Sequence, residues 1–110
     1  VRGDAPYVGV PVFLSRAFRH SAIYVRTDRG ITRAADLAGR TIGLPEYQQT
    51  AALWVRGMLR EHYGVDTRGI AWRTGGLEKP GQGERVALTL PPGLDVRAVE
   101  AGETLNGMLA

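Results

Sequence analysis

Ser15-Arg16-Ala17-Phe18-Arg19-His20-Ser21 is the stretch of this chain richest in groups that can do chemistry. It brings two guanidiniums, an imidazole and two hydroxyls within seven residues. Arginine's planar fork holds carboxylates and phosphates through paired hydrogen bonds. Imidazole moves a proton near neutral pH. The segment therefore reads as a site for an anionic small molecule, with acid–base chemistry available at His20. The same residues also suit a solvated basic connector between strands, in which His20 is simply hydrogen-bonded.

Other stretches carry related chemistry. Glu46-Tyr47-Gln48-Gln49-Thr50 leads into a helix, whose first free N–H groups and positive dipole end attract anions. Gln49 and Thr50 add side-chain donors, and Tyr47 adds an aromatic face and a hydroxyl. Plain helix capping explains the stretch equally well. Arg73-Thr74-Gly75-Gly76 sets a guanidinium beside small residues where a backbone can come close to a ligand, or where the chain simply turns. It is no phosphate loop, since no Lys follows at the required spacing.

The elements that must position these groups follow from periodicity. Residues 8–14 and 21–26 read as strands flanking the Arg/His segment, with Pro11 confining the first to an edge, a bulge or a strand end. Residues 27–30 have turn chemistry, and 34–37 suit one helical turn stopped by Gly39. Residues 41–44 read as a buried strand ended by Pro45. From 48 to 63 a stripe of period near 3.6, built on Ala51, Leu53, Trp54, Val55, Met58 and Leu59, predicts the one long helix, closed by Gly64. Arg56, Arg60 and Glu61 fall mostly on its other face. Gly57 inside that helix predicts a neighbour packed close against it. Residues 70–73 and 96–99 read as further strands, and 86–90 as part of a loop-rich hairpin because Val86, Leu88 and Leu90 alternate. Residues 104–110 resemble the opening of an amphipathic helix. Trp54 and Trp72 read as core or interface aromatics, and His62 as structural. Strand, helix and strand from 41 to 73 make a βαβ unit, so the fold class is α/β with a parallel sheet. In such sheets ligands bind beyond the carboxyl ends of the strands, here residues 45–50 and 74–76.

Composition narrows the function classes. At 110 residues the chain suits one small domain, and 44% apolar against 23% charged residues argues against disorder. The formal charge is +3, but the arginines are scattered and carry no nucleic-acid signature, so no nucleic-acid partner is expected. No apolar run is long enough to span a bilayer, and no secretory signal is visible. There is no Cys, hence neither disulfide nor thiolate nucleophile. His20 and His62 lack metal-ligand spacing, so no metal site is expected.

Three runs carry a resemblance. Pro11-Val12-Phe13-Leu14-Ser15-Arg16-Ala17-Phe18-Arg19-His20-Ser21-Ala22-Ile23-Tyr24-Val25 is the first. Gly43-Leu44-Pro45-Glu46-Tyr47-Gln48-Gln49-Thr50-Ala51, with Trp54-Val55-Arg56-Gly57 after it, is the second. Trp72-Arg73-Thr74-Gly75-Gly76-Leu77-Glu78 is the third. Together they resemble the 4,5-dihydroxyphthalate decarboxylase family. The segment from Ala34 to Gly43 is similar to one that opens the second lobe of type II periplasmic solute-binding proteins.

The resemblance implies a periplasmic-binding-protein-like type II fold, present here in part: the hinge region and much of the second lobe. Residues 1–30 would supply hinge and first-lobe strands with the Arg/His segment, and 31–110 a partial second-lobe α/β domain. The implied reaction is non-oxidative loss of CO2 from a hydroxylated aromatic dicarboxylate. His20 is the candidate acid, with Arg19 beside it as its catalytic partner. Arg16, Ser21, Tyr47, Gln49, Thr50, Arg73, Thr74 and Gly75 are the candidate substrate-binding residues. Ring hydroxyls supply the electrons, so no organic cofactor is needed. The same residues would also serve a transporter's solute-binding protein that carries an aromatic carboxylate unchanged. An enzyme is expected in the cytoplasm and a receptor in the periplasm. As an internal piece of a longer family, the chain would expose apolar surface and self-associate.

Overall fold

The computed structural model describes residues 23–81 and 83–110. Its centre is a sheet of three short strands, β1 (Thr41–Leu44), β2 (Ala71–Thr74) and β3 (Val96–Ala98), in the spatial order β1-β2-β3. Both pairings are parallel. Ile42 stands opposite Trp72 and Trp72 opposite Val96, while Gly43, Arg73 and Arg97 form the next row. Successive side chains alternate between the two faces of a sheet, so these two rows face opposite ways.

The long helix α1 (Thr50–Tyr63) makes the crossover from β1 to β2 and ends at Gly64, whose φ of 64° gives the left-handed turn expected there. It covers the face that carries Ile42, Leu44, Trp72, Thr74 and Val96. Leu37, Leu44, Tyr47, Ala52, Leu59, Val65, Ile70 and Trp72 form the core, with Val55, Leu88 and Leu90 packed against them. The indole Nε1–H of Trp72 donates to the Thr67 carbonyl at 3.1 Å, so this large buried ring leaves no donor unpaired. The other face of the sheet meets a short helix, α2 (Leu105–Leu109). Thr104 caps it, its hydroxyl accepting from the Gly107 N–H at 3.1 Å. A Cβ on Gly43 would stand 2.8 Å from Leu105 Cδ2, so the missing side chain is what lets α2 approach β1.

A 3-10 turn at Ala34–Leu37 leads into β1. The Asp36 carboxylate accepts from the backbone N–H groups of Thr32 and Arg33 and from both of their side chains. These bonds, the Thr32 N–H foremost, lower its pKa to about 2 against a desolvation that would raise it. The α/β class with a parallel sheet thus holds, as do the βαβ unit, the turn at Thr27–Arg29, and the helix at the chain's end.

Several expectations need correction. Residues 23–26, the described part of the strand expected over 21–26, join no sheet. Ile23 and Val25 instead line an apolar groove beside α1, and the Arg26 guanidinium binds Asp28 and the Leu109 carbonyl. Residues 86–90 form no hairpin. Their alternation is real, but it half-buries Leu88 and Leu90 against the core with no partner strand among the described residues. Among the described residues β1 lies at an edge of the sheet, and of its four residues only Leu44 is buried. Trp54 is 60% exposed, as is Leu53, because the buried strip of α1 runs through Ala52, Val55 and Leu59, to one side of the expected stripe. Among the described residues Gly57 has no neighbour within 4 Å of where a Cβ would stand, so no described element packs closely there.

Candidate functional site

The carboxyl ends of the strands carry two of the three expected binding stretches. The chain leaves β1 at Leu44 and turns through Pro45–Gln49 before α1 begins. The Gln49 N–H donates to the Glu46 carbonyl at 3.2 Å, and the Gln49 carbonyl accepts the first helical bond, from Leu53, at 3.0 Å. No side chain caps this end of α1. Gln49 and Thr50 are exposed here. Their side chains and the first amides of the helix are therefore available to an anion at this edge.

Tyr47 is not exposed. It packs in the core with its ring edge-on to Trp72, the centroids 5.9 Å apart. The Arg56 guanidinium lies over its ring at 3.7 Å and donates to its carbonyl at 2.8 Å. The Tyr47 N–H donates to Glu84 Oε1. Burial lowers the pKa of Arg56, while Tyr47 and the Glu84 carboxylate raise it. Next along the chain, the Gln48 side chain donates to the Val86 carbonyl at 2.9 Å, and Glu46 pairs with Arg85 at 2.9 Å. Residues 84–86 thus lie as a strap across 46–48.

At the end of β2, Thr74, Gly75 and Gly76 are all buried. The Gly75 N–H donates to the Leu44 carbonyl at 3.3 Å, which ties the two strand ends together. The close approach that Gly75 permits is made by Val99, whose Cγ2 stands 2.5 Å from the position of a Cβ. Arg73 points to the opposite face from Tyr47. Its guanidinium donates to the Trp72 carbonyl at 2.9 Å and to Asp95 Oδ2 at 3.1 Å, and Arg97 holds the other oxygen of Asp95 at 2.8 Å. The Arg73 guanidinium chiefly, with Arg97, holds the Asp95 carboxyl below the usual range despite its desolvation.

The structure therefore brings Tyr47, Gln49, Thr50, Thr74 and Gly75 to one edge of the sheet, and commits Arg73 to Asp95. Arg16, Arg19, His20 and Ser21 lie outside the described residues. Among those described, no group of three or more His, Asp or Glu could hold a metal, and no helix is long and apolar enough to cross a membrane. An apolar groove of about 390 Å³ lies along α1 between Ile23, Val25, Leu37, Val55, Met58 and Tyr63, and none of the described binding candidates, Tyr47, Gln49, Thr50, Arg73, Thr74 and Gly75, lines it.

Sequence reasoning did not single out Glu84 and placed Arg56 on the outer face of α1. Glu84 stands alone in a Gly- and Pro-rich stretch, where nothing local marks its target 37 residues earlier. For Arg56 a signal existed. An aromatic just before a helix and an arginine two turns into it can meet, since an arginine lies readily over a ring.

No family model matches the chain. It is similar to two curated proteins, each named 4,5-dihydroxyphthalate decarboxylase, from Comamonas testosteroni and Pseudomonas putida. Identity to each is 52% over 108 residues, which is 98% of this chain but 33% and 42% of those proteins. The chain therefore spans between a third and less than half the length of these relatives.

Proposed function

We propose that the chain is part of the substrate-binding machinery of a decarboxylase acting on 4,5-dihydroxyphthalate, within a two-lobed, periplasmic-binding-protein-like architecture. The observation that carries this reading is the 52% identity, across nearly the whole chain, to two proteins of that name. The free amides at the start of α1, with Gln49 and Thr50, support it by offering donors to a carboxylate or a ring hydroxyl at the carboxyl ends of parallel strands. Arg16 and Arg19 are assigned to the two substrate carboxylates, with Ser21 beside them. Tyr47, Thr74 and Gly75 shape the wall behind the ring, and Arg73 acts through Asp95.

The chemistry asks little of a protein beyond a proton and orientation. Each carboxylate of the substrate is para to a ring hydroxyl. That hydroxyl pushes electron density toward the carbon bearing the carboxylate, which takes a proton from His20. The C–C bond then breaks, its electron pair restores the aromatic ring, and CO2 departs to leave 3,4-dihydroxybenzoate. His20 must be protonated to act and regains its proton from water. Arg19 orients the departing carboxylate. A cytoplasmic enzyme follows from this reading.

The test uses the protein expressed at its full natural length, incubated with 4,5-dihydroxyphthalate while 3,4-dihydroxybenzoate is quantified. Turnover is expected, and His20→Ala should lower kcat by about a hundredfold or more, the usual worth of a general acid. Tight binding of the diacid by folded protein without product would overturn the enzyme in favour of a receptor. Undiminished turnover in His20→Ala would remove His20 from the acid role.

A further inference from the structure

Tyr47 is held in an unusual way. Beyond the end of β1 its main chain has no ladder partner among the described residues, yet Tyr47 is buried, and a buried peptide group left unpaired is costly. Charged side chains from two distant elements take the place of a ladder. Glu84, from the segment joining β2 to β3, accepts the Tyr47 N–H, and Arg56, from α1, donates to the Tyr47 carbonyl and lies on the Tyr47 ring. Hydrogen bonds with one ionised partner are stronger than neutral ones. The peptide is clamped from both sides by an acid and a base, at the point where the chain turns from β1 toward Gln49 and Thr50.

The second oxygen of Glu84 sharpens the point. Oε2 is buried and accepts no hydrogen bond among the described residues. A carboxylate kept in such a place costs desolvation that an amide or hydroxyl acceptor would avoid. Its contribution therefore lies in what it fixes. Gln48 on Val86 and Glu46 on Arg85 extend the same grip to either side.

We propose that Glu84 and Arg56 are positioning residues: they fix the 45–50 loop, and through it the donors of Gln49, Thr50 and the first turn of α1, in the orientation that receives the substrate. The kinetic half of this inference rests on the decarboxylase reading, whereas the structural half does not.

Two measurements on the protein at its full natural length separate them. The first is amide hydrogen exchange. In Glu84→Ala the amides of 46–52 should exchange about tenfold faster or more, while those of β1 and β2 keep their protection. Glu84→Gln, which keeps an acceptor oxygen for the Tyr47 N–H, should restore most of the loop's protection. Arg56→Lys, which keeps the charge but loses the planar fork, should loosen the loop less than Glu84→Ala and serves should that variant fail to fold. The second is steady-state kinetics. Glu84→Ala should raise KM for 4,5-dihydroxyphthalate by about tenfold with a smaller change in kcat, the signature of lost ground-state binding, and Glu84→Gln should reverse most of it. Unchanged exchange at 46–52 in Glu84→Ala and Arg56→Lys would overturn the clamp. Faster exchange with an unchanged KM would overturn its link to substrate. Absence of turnover in the unsubstituted protein would instead overturn the decarboxylase reading and leave the exchange result standing.

Discussion

The two faces of the sheet are filled in opposite ways. On the α1 face, contact is made by bulk. Trp72, Ile70 and Leu59 are among the most buried side chains, and Tyr47 and Leu44 complete the layer. On the α2 face, contact is made by absence. Gly43 lets Leu105 in, Gly75 lets Val99 in, and the row that Gly43 shares with Arg73 and Arg97 holds both arginines paired on Asp95. A layer of large side chains draws its stability from area removed from water. A layer built on glycines lets backbone and neighbours come close but buries little, so its stability depends on fit. The candidate site lies where the two meet, beyond the strand ends: its Tyr47 belongs to the bulky layer and its Gly75 to the bare one.

The largest effect should come from the bulky layer. Trp72→Ala removes an indole that is 1% exposed, the edge-on partner of Tyr47 and the donor to Thr67. It should cost about 3–5 kcal/mol, a large fraction of a small domain's stability, read from the midpoint of urea denaturation. A loss below about 1 kcal/mol would mean that the α1 face is not where the stability resides, since surface-like substitutions fall in that range. On the bare layer Gly75→Ala should cost less, about 1–3 kcal/mol, because Val99 must give way and its β-branched side chain has few rotamers to move to. The comparison sharpens if Val99→Ala, added to Gly75→Ala, recovers stability beyond the sum of the single changes, as contact between the two requires. Additive losses would show that Gly75 is needed for another reason.

Much of this architecture was legible in the sequence, and the part that was not has a common cause. The period of α1, its stop at Gly64 and the strands at β1, β2 and β3 follow from local rules, and the βαβ unit makes β1 and β2 parallel, whereas the place of β3 beside β2 came from the structure. Residues 86–90 show where local rules mislead. Alternation says that one side turns inward, and Leu88 and Leu90 are partly buried against the core, but it cannot say whether a second strand lies alongside. Trp54 shows the same limit on a helix. Period 3.6 marks an apolar side, yet it cannot say which edge of that side turns inward, nor that Arg56 lies over the Tyr47 ring. Of the candidate site, the loop at 45–50 was legible from the βαβ rule. The commitment of Arg73 to Asp95 was not, since it joins residues 22 apart through the register of two strands.

Gly57 gives the finest test of the comparison, because it lies inside α1 with open space around it among the described residues. A glycine within an α-helix costs about 1 kcal/mol relative to alanine through the greater freedom of its unfolded backbone. Gly43 and Gly75 offset that kind of cost with close packing, whereas at Gly57 no described residue stands within 4 Å of a Cβ. Its backbone is helical, so alanine fits without strain. Gly57→Ala should therefore stabilise the chain by about 1 kcal/mol in urea denaturation, opposite in sign to Gly75→Ala. Equal losses at the two positions would erase the distinction between a glycine required by packing and one that is not. A gain at Gly57 beside a loss at Gly75 would locate the demand for bareness on the α2 face, where the strand ends approach the site.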